Sequence, residues 1–313
     1  MGKTQKGIEM KHCDIGASGD IPVTIIAASS LPYSLPERKK DSNKGTYGRV
    51  LIVGGSVGMA GAAYLSGMAA YRCGAGLVNI FTPDENRVIL QTLLPEAILT
   101  TYSLDDESKI YIRLKEAIAS ATVVVIGPGL STSNIAKSIL KAVLDYTDVP
   151  LIIDADALNI ISEDASMWSL IHTHAVITPH MGEMSRLTKT SVAELKENAP
   201  DTALCFSKDK GVVCVMKDSR TCVAYENKLY INLTGNSGLS KGGSGDTLTG
   251  IIAGLCASGM GLFEACCSGV YLHGLAADIA KADFTEYSML ARDVCNYIPA
   301  AIKQSTEESG EVE

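Results

Sequence analysis

The sequence predicts an α/β fold in which a mostly parallel sheet is covered on both faces by helices. Three observations carry this. From residue 44 onward short apolar runs alternate with helix-length segments, the pattern of successive βαβ units. The runs are apolar throughout, as expected of strands buried on both faces. Glycine is abundant, 29 of 313 residues, while aromatics make up only 5%. That pairing suits tight turns at strand ends better than an aromatic-lined binding sheet.

Taken in order, residues 1–43 read as a leader or connector. They hold Pro22, Pro32, Pro36 and the charged segment Glu37–Asp41, with little sustained periodicity. Glu9, Asp14 and Asp20 break any signal-peptide pattern, and the apolar stretch Val23–Ala28 is too short for one. Strands are predicted at Val50–Val53, Leu77–Phe81, Val123–Ile126, Leu151–Ile153, Ala175–Ile177 and Val212–Met216. Val50 to Tyr71 is uncharged and of membrane length, but its many glycines make it a strand, a turn and a helix. Arg220–Tyr225 and Lys228–Asn232 flank Glu226-Asn227 as a hairpin. Leu248, Ile251, Ile252 and Leu255 recur at i, i+3, i+4 and i+7, one buried helical stripe. Residues 263–283 and 288–303 follow as helices, and 304–313 as a polar, acidic tail. With no repeat and no long linker, 44–303 reads as one domain.

Composition excludes several functions. The net charge is −8, with a pI near 5.2, so no basic field would collect nucleic acid. No segment reads as a membrane span. The nine cysteines contain no C-x-x-C and sit mostly in apolar runs such as Gly211–Met216, as buried free thiols of a reducing, cytoplasmic compartment would.

Open parallel sheets bind ligands beyond the carboxyl ends of their strands, and the unusual residues cluster there. Gly54–Gly61 is not a dinucleotide fingerprint, because Ser56 interrupts it, and the chain has no Walker A loop. It is either a structural turn or a turn that admits a ligand to the helix start at Gly61-Ala62. Gly127-Pro128-Gly129 is likewise a loop or a ligand contact. In Asp154–Asn159, Asp156 reads as a helix cap and Asp154 as the better site candidate. His172, His174 and His180 do not have zinc-site spacing; His180 reads as a hydrogen-bonding site residue. The most specific stretch is Thr234–Gly250, a glycine-rich loop running into an amphipathic helix. The N–H groups of Gly243, Ser244 and Gly245 would form an anion hole at the helix start. Asp246, in the first turn, is either a dipole-favourable cap or a general base aimed at a hydroxyl.

The Gly242–Asp246 loop resembles the active-site signature of the ribokinase-like superfamily. More narrowly, an ordered set of blocks is similar to the ADP-dependent (S)-NAD(P)H-hydrate dehydratase family. They are Lys44–Val50 running into Gly54–Ser56 and Gly61-Ala62, then Gly74–Val78, Gly127–Leu130, Asp154–Asn159, Thr178–Glu183, Gly235-Asn236 and Gly242–Asp246, covering the chain from 44 to about 303. The resemblance implies a three-layer αβα sandwich and repair of hydrated NADH or NADPH by phosphorylation and elimination. It implies Asp246 as base on the hydrate hydroxyl, with Ala62, Gly129 and His180 also contacting that substrate. It implies nucleotide contacts from Gly243, Ser244 and Gly245 and from Lys217, Asp218, Ser219, Arg220 and Thr221. Asp218 stands where the family has glycine, and Lys241 is a second departure that could offset its charge. Glu183 would hold Mg2+ through water. The donor is expected to be ADP, because Ser244 stands where ATP-using relatives typically carry Gln. Residues 1–43 are too short for the epimerase domain of many relatives, and Cys13–Gly16 resembles the connector that follows it. A separate epimerase is therefore an expected partner, and the assembly a homo-oligomer, a tetramer by resemblance. The alternative is a small-alcohol kinase of the same superfamily.

Overall fold

The computed structural model describes residues 8–13, 23–28, 30–171 and 174–310. Its centre is one eleven-stranded sheet. The strands are β1 (Ile8–Cys13), β2 (Val23–Ala28), β3 (Arg49–Val53), β4 (Leu77–Pro83), β5 (Ile98–Tyr102), β6 (Val123–Ile126), β7 (Leu151–Ile153), β8 (Ala175–Ile177), β9 (Val213–Met216), β10 (Cys222–Tyr225) and β11 (Lys228–Asn232). Their order is β1-β2-β11-β10-β9-β8-β7-β6-β3-β4-β5. From β9 to β5 every neighbouring pair is parallel, while β10 runs antiparallel to both β9 and β11.

The uniformly apolar strands explain the layers. Along β3 and β6, Leu51, Val53, Val124 and Ile126 face one core, and Val50, Ile52, Val123 and Val125 face the other. Side chains alternate across a strand, so a strand that is apolar at every position must be covered on both faces. The first face packs against α3 (Glu107–Ala119), α4 (Asn134–Tyr146), α5 (Asp156–Glu163) and α8 (Ala199–Lys210). The second packs against α1 (Ala60–Arg72), α9 (Ser244–Ala257) and α10 (Leu262–Ser288, interrupted at Thr285). Beyond α9, residues Ile251 and Leu255 join α10 and α11 (Ala291–Gly310) in a third cluster. So α9 is buried on two sides, more than the single stripe expected. The remaining helices are α2 (Arg87–Leu93), α6 (Met181–Thr188) and α7 (Val192–Glu197). No helix among the described residues is long and apolar enough to cross a membrane.

Three expectations need correction. Residues 23–28, read as part of the leader, form β2 and pair in parallel with β11 from Lys228↔Thr24 to Asn232↔Ala28. The partner lies some two hundred residues away, so no local alternation announces the strand. β5 was not expected, because Ile98-Leu-Thr-Thr-Tyr102 is an edge strand with Ile98 exposed and lacks an apolar run. The tail is not separate either: α11 continues to Gly310, and Ser305 is buried one turn beyond Ala301. The helical period outlasts the apolar composition. The connector-like residues 14–16 and His172 lie outside the described residues.

Candidate active site

The site forms where β7, β8 and β9 end and α9 begins. At its floor Asp154, directly after β7, is buried. Its Oδ1 accepts from Thr178 Oγ1 (2.6 Å) and Lys217 Nζ (2.9 Å), and its Oδ2 from Thr249 Oγ1 (2.8 Å). Burial alone would raise its pKa, but the Lys217 charge and these hydrogen bonds hold it below the ordinary carboxylate range. Lys217 is displaced upward: burial opposes its charge, and Asp154 and Glu183 outweigh the burial. Asp154 is thus a structural anchor for Lys217. Asp156 is not the cap of α5, whose N-cap is Ala155 with no side-chain cap bond. Its Oδ2 accepts from Ser131 N–H (2.8 Å), tying the Gly127–Gly129 turn to α5.

That turn is forced by close approach. Gly127 has φ +123, and a Cβ there would lie 1.7 Å from the Asp154 carbonyl oxygen. The turn accepts the Gly55 N–H at Pro128 O (2.9 Å) and the Ser56 N–H at Gly129 O (2.5 Å). A Cβ at Gly129 would meet the Ala62 Cβ at 3.0 Å, so Ala62 and Gly129 are neighbours.

The second wall is the start of α9. Gly243 is its N-cap at φ +94, a conformation that favours glycine, and a Cβ there would also press on Leu65 Cδ1 at 2.5 Å. The expected anion hole needs one change. The Ser244 N–H already donates to Lys241 O (3.3 Å), while Gly245 and Asp246 N–H are left without a backbone acceptor among the described residues. Lys217 Nζ lies 3.2 Å from where a Gly245 Cβ would be, so its ammonium faces the same cradle. The Asp246 carboxylate has no hydrogen bond or ion pair among the described residues; only its backbone oxygen is used, by Ser66 Oγ (3.0 Å). Burial first, then the charge of Asp154, push its pKa up to about 6 against the opposing pull of Lys217.

A cavity of about 830 Å³ opens beside this cradle. Of the expected site residues, His180, Lys217, Asp218, Ser219, Thr221, Ser244 and Gly245 line it; Ala62, Gly129, Arg220, Gly243 and Asp246 do not. His180 is the N-cap of α6: its Nδ1 accepts from Gly182 N–H (2.9 Å), and Glu183 Oε2 accepts the His180 N–H (2.8 Å) in a capping box. Glu183 is buried, and desolvation, with Asp154 adding to it, raises its pKa to about 7. Its Oε1 lies 3.4 Å from His180 Nε2. Lys241 lines the cavity, but its ammonium donates to Tyr287 O (2.7 Å) on the last turn of α10; it does not pair with Asp218. Sequence reasoning missed Asn232 and His273, which also line the cavity. A lone histidine in the apolar run from Val270 to Ala277 was the available signal.

This sheet, with a glycine cradle and an acidic residue at the start of a central helix, defines the ribokinase-like class of α/β proteins, which includes solved relatives of the same architecture. A family model for NAD(P)H-hydrate dehydratase matches residues 50–300, and the chain belongs to that family. It is 37% identical over 293 residues to a bifunctional NAD(P)H-hydrate repair enzyme of Moorella thermoacetica, covering 91% of this chain and 54% of the relative. It therefore spans about half the length of the bifunctional relatives it matches. An ADP-dependent (S)-NAD(P)H-hydrate dehydratase of Neisseria meningitidis is 38% identical over 259 residues, 81% of this chain and 84% of that one. The crystal structure of a Bacillus subtilis ADP/ATP-dependent NAD(P)H-hydrate dehydratase, obtained with ATP and Mg2+, is similar at a TM-score of 0.74 and 31% identity. It covers 87% of this chain and 94% of that one.

Proposed function

We propose that this chain restores NADH or NADPH from the S-epimer of its hydrate, using ADP as phosphoryl donor. The observation that carries the reading is Asp246: an unpaired, half-buried carboxylate in the first turn of α9, beside the unfilled N–H groups of the cradle. With a pKa near 6 it is ionised at neutral pH yet basic enough to take a hydroxyl proton. The steps balance simply. Asp246 accepts the proton of the hydrate's ring hydroxyl as its oxygen attacks the terminal phosphorus of ADP, and AMP leaves. The ring nitrogen's lone pair then expels the phosphate, a proton leaves the neighbouring ring carbon, and the reduced nicotinamide ring re-forms. Phosphorylation converts hydroxide, a poor leaving group, into phosphate.

Lys217 and the Gly245 and Asp246 N–H groups supply the positive field for the moving phosphoryl group. Ala62, Gly129 and His180 hold the hydrate, and Lys217, Asp218, Ser219, Arg220, Thr221, Gly243, Ser244 and Gly245 hold the nucleotide. Among the described residues no three acidic, histidine or cysteine side chains converge on a metal position, which fits Mg2+ carried by nucleotide phosphates rather than caged by protein. Glu183 is the carboxylate for its water-mediated contact, and the ion would neutralise phosphate charge. In this reading residues 44–303 are the dehydratase unit, and an epimerase activity supplies the S-epimer.

The test is to incubate the protein with NADH hydrate and either ADP or ATP, following reduced-nicotinamide absorbance together with phosphate release. Recovery of absorbance with stoichiometric phosphate, at higher kcat/KM for ADP than for ATP, is expected. A preference for ATP would remove the donor assignment alone. A stable phosphorylated product without absorbance recovery would make the chain a kinase.

A further inference from the structure

Asp278 has no part in the chemistry above and does not line the cavity, yet it grips the loop that does. Its position on α10 is exposed, where an acid usually points to water. Here both oxygens are engaged. Oδ2 accepts the Gly235 N–H (2.8 Å), and Oδ1 accepts from Asn236 Nδ2 (2.9 Å). Tyr271, Gly274 and Asp278 recur at i, i+3 and i+7, so they form one stripe of α10. All three meet the same loop. The Tyr271 carbonyl accepts from Thr234 Oγ1 (2.9 Å), and a Cβ at Gly274 would lie 2.6 Å from the Thr234 carbonyl carbon. The stripe seats the loop, and Asp278 is its charged end.

The loop carries that hold to the phosphate cradle. Asn236 turns its Nδ2 to Asp278, which leaves its Oδ1 to accept the Gly238 N–H (3.0 Å) and cap the short 3₁₀ turn Ser237–Leu239. Leu239 O accepts the Lys241 N–H (2.8 Å), and Lys241 O accepts the Ser244 N–H (3.3 Å) at the first residue of α9. Asn236, Leu239, Lys241 and Ser244 all line the cavity. The residue type at 278 matters. A carboxylate only accepts and can serve two donors at once, whereas an amide would turn its own NH2 group against one of them. Flipping the Asn236 amide to compensate would set its NH2 against the Gly238 N–H. Resting on the nucleotide reading above, we propose that Asp278 is a positioning residue for the phosphoryl donor: it fixes the orientation of the Asn236 amide, and through it the shape of the loop 235–244 that the nucleotide meets.

Calorimetric titration with ADP tests this in the wild type, Asp278→Asn, Asn236→Asp and the double variant. Asp278→Asn should weaken ADP about tenfold, with the binding stoichiometry unchanged. Asn236→Asp sets two carboxylates face to face. It should weaken ADP at least as far, and it carries the same comparison should Asp278→Asn fail to fold. The double variant exchanges the two groups at constant net charge. The amide at 278 then donates to the carboxylate at 236, whose other oxygen still caps the Gly238 N–H, while the amide oxygen accepts the Gly235 N–H. ADP affinity should return to within about threefold of wild type. A merely structural role would lower the thermal midpoint and the bound fraction at an unchanged Kd, and that result would overturn the proposal. A double variant that binds ADP no better than Asp278→Asn would also overturn it. No hydrate is needed, so the two readings fail separately. A wild type that binds ADP but does not repair hydrate sinks the proposed function while the Asp278 result stands. A wild type that binds no ADP sinks both.

Discussion

Two carboxylates stand close in this molecule and meet opposite fates. At the floor of the site, Asp154 is fully buried but accepts from Thr178, Lys217 and Thr249, and it stays ionised well into acid. At the mouth, Asp246 is less buried, yet no donor reaches its carboxylate and its pKa climbs to about 6. Burial alone does not decide the charge state; the counter-charge and hydrogen-bond donors that reach the carboxylate do. In the reading proposed above the floor gives rigidity and the mouth reactivity, and Asp154 contributes to both. It holds Lys217 beside Gly245, and its negative charge helps raise Asp246.

The largest effect should come from the mouth. Asp246→Asn keeps the shape and removes the base, which costs about 10²–10⁴-fold in kcat, with ADP affinity little changed. The sign of its stability effect separates mouth from floor. The folded-state pKa lies above the unfolded value, so ionisation costs wild-type stability as pH rises from about 4 through about 6. The asparagine variant should therefore melt at a higher temperature than wild type at pH 8, and the two should converge below pH 4. In the wild type, kcat/KM should fall as pH drops below about 6. A variant within a few-fold of wild-type activity would end the base assignment.

Breaking the floor should do the reverse. Lys217→Met leaves Asp154 buried without its counter-charge and should cost about 3–5 kcal/mol of folding stability. Asp154's own contribution is complete above the unfolded carboxylate pKa and is lost as pH falls through its lower folded value. Neutralising both groups, as Lys217→Met with Asp154→Asn, should recover much of the loss in a denaturant titration. Additive losses would show that the pair does not act as a unit.

His180 links the two regions, since it caps α6, bridges to Lys217 in the sheet and lines the cavity. His180→Ala should cost about 1 kcal/mol as a lost cap, roughly 2 °C, and raise KM for the hydrate more than KM for ADP. An effect confined to ADP would assign His180 to the nucleotide instead.

Much of this was legible in the chain, for identifiable reasons. The strands from Val123 to Ile177 are apolar at every position, a signal that survives without context, and their predicted limits match β6, β7 and β8. β2 and β5 were not legible for different reasons: β2 pairs in parallel with β11, some two hundred residues away, and β5 is an edge strand without an apolar run. At the site, the place of Asp246 in the first turn of α9 was readable because a glycine loop and a helix start bracket it. The distinction between Asp154 and Asp156 was not, because it depends on Thr249, Lys217 and Ser131, which approach from other elements. His273 was hidden by its apolar neighbours, which make a lone histidine read as core.

The smallest effect concerns the rim, where Asp218 replaces a glycine expected in the nucleotide segment. A glycine can be needed for its backbone or for its lack of charge and bulk, and the structure separates these. Asp218 is not among the residues with positive φ, so its conformation carries no left-handed strain and does not require glycine. Its backbone oxygen accepts from Thr221 Oγ1 (3.2 Å), a contact that survives any side chain. What remains is an exposed negative charge at the edge of the cavity that would receive an anionic donor. Exposed charges interact weakly through water and are screened by salt. Asp218→Gly should therefore tighten ADP by no more than about fivefold at low ionic strength, with the gain fading toward 0.5 M salt and no change in thermal midpoint. A gain that persists in high salt would mean that the aspartate blocks the nucleotide by bulk instead. A loss of affinity would mean that it contributes a contact of its own, and the rim would then share the floor's dependence on a placed carboxylate.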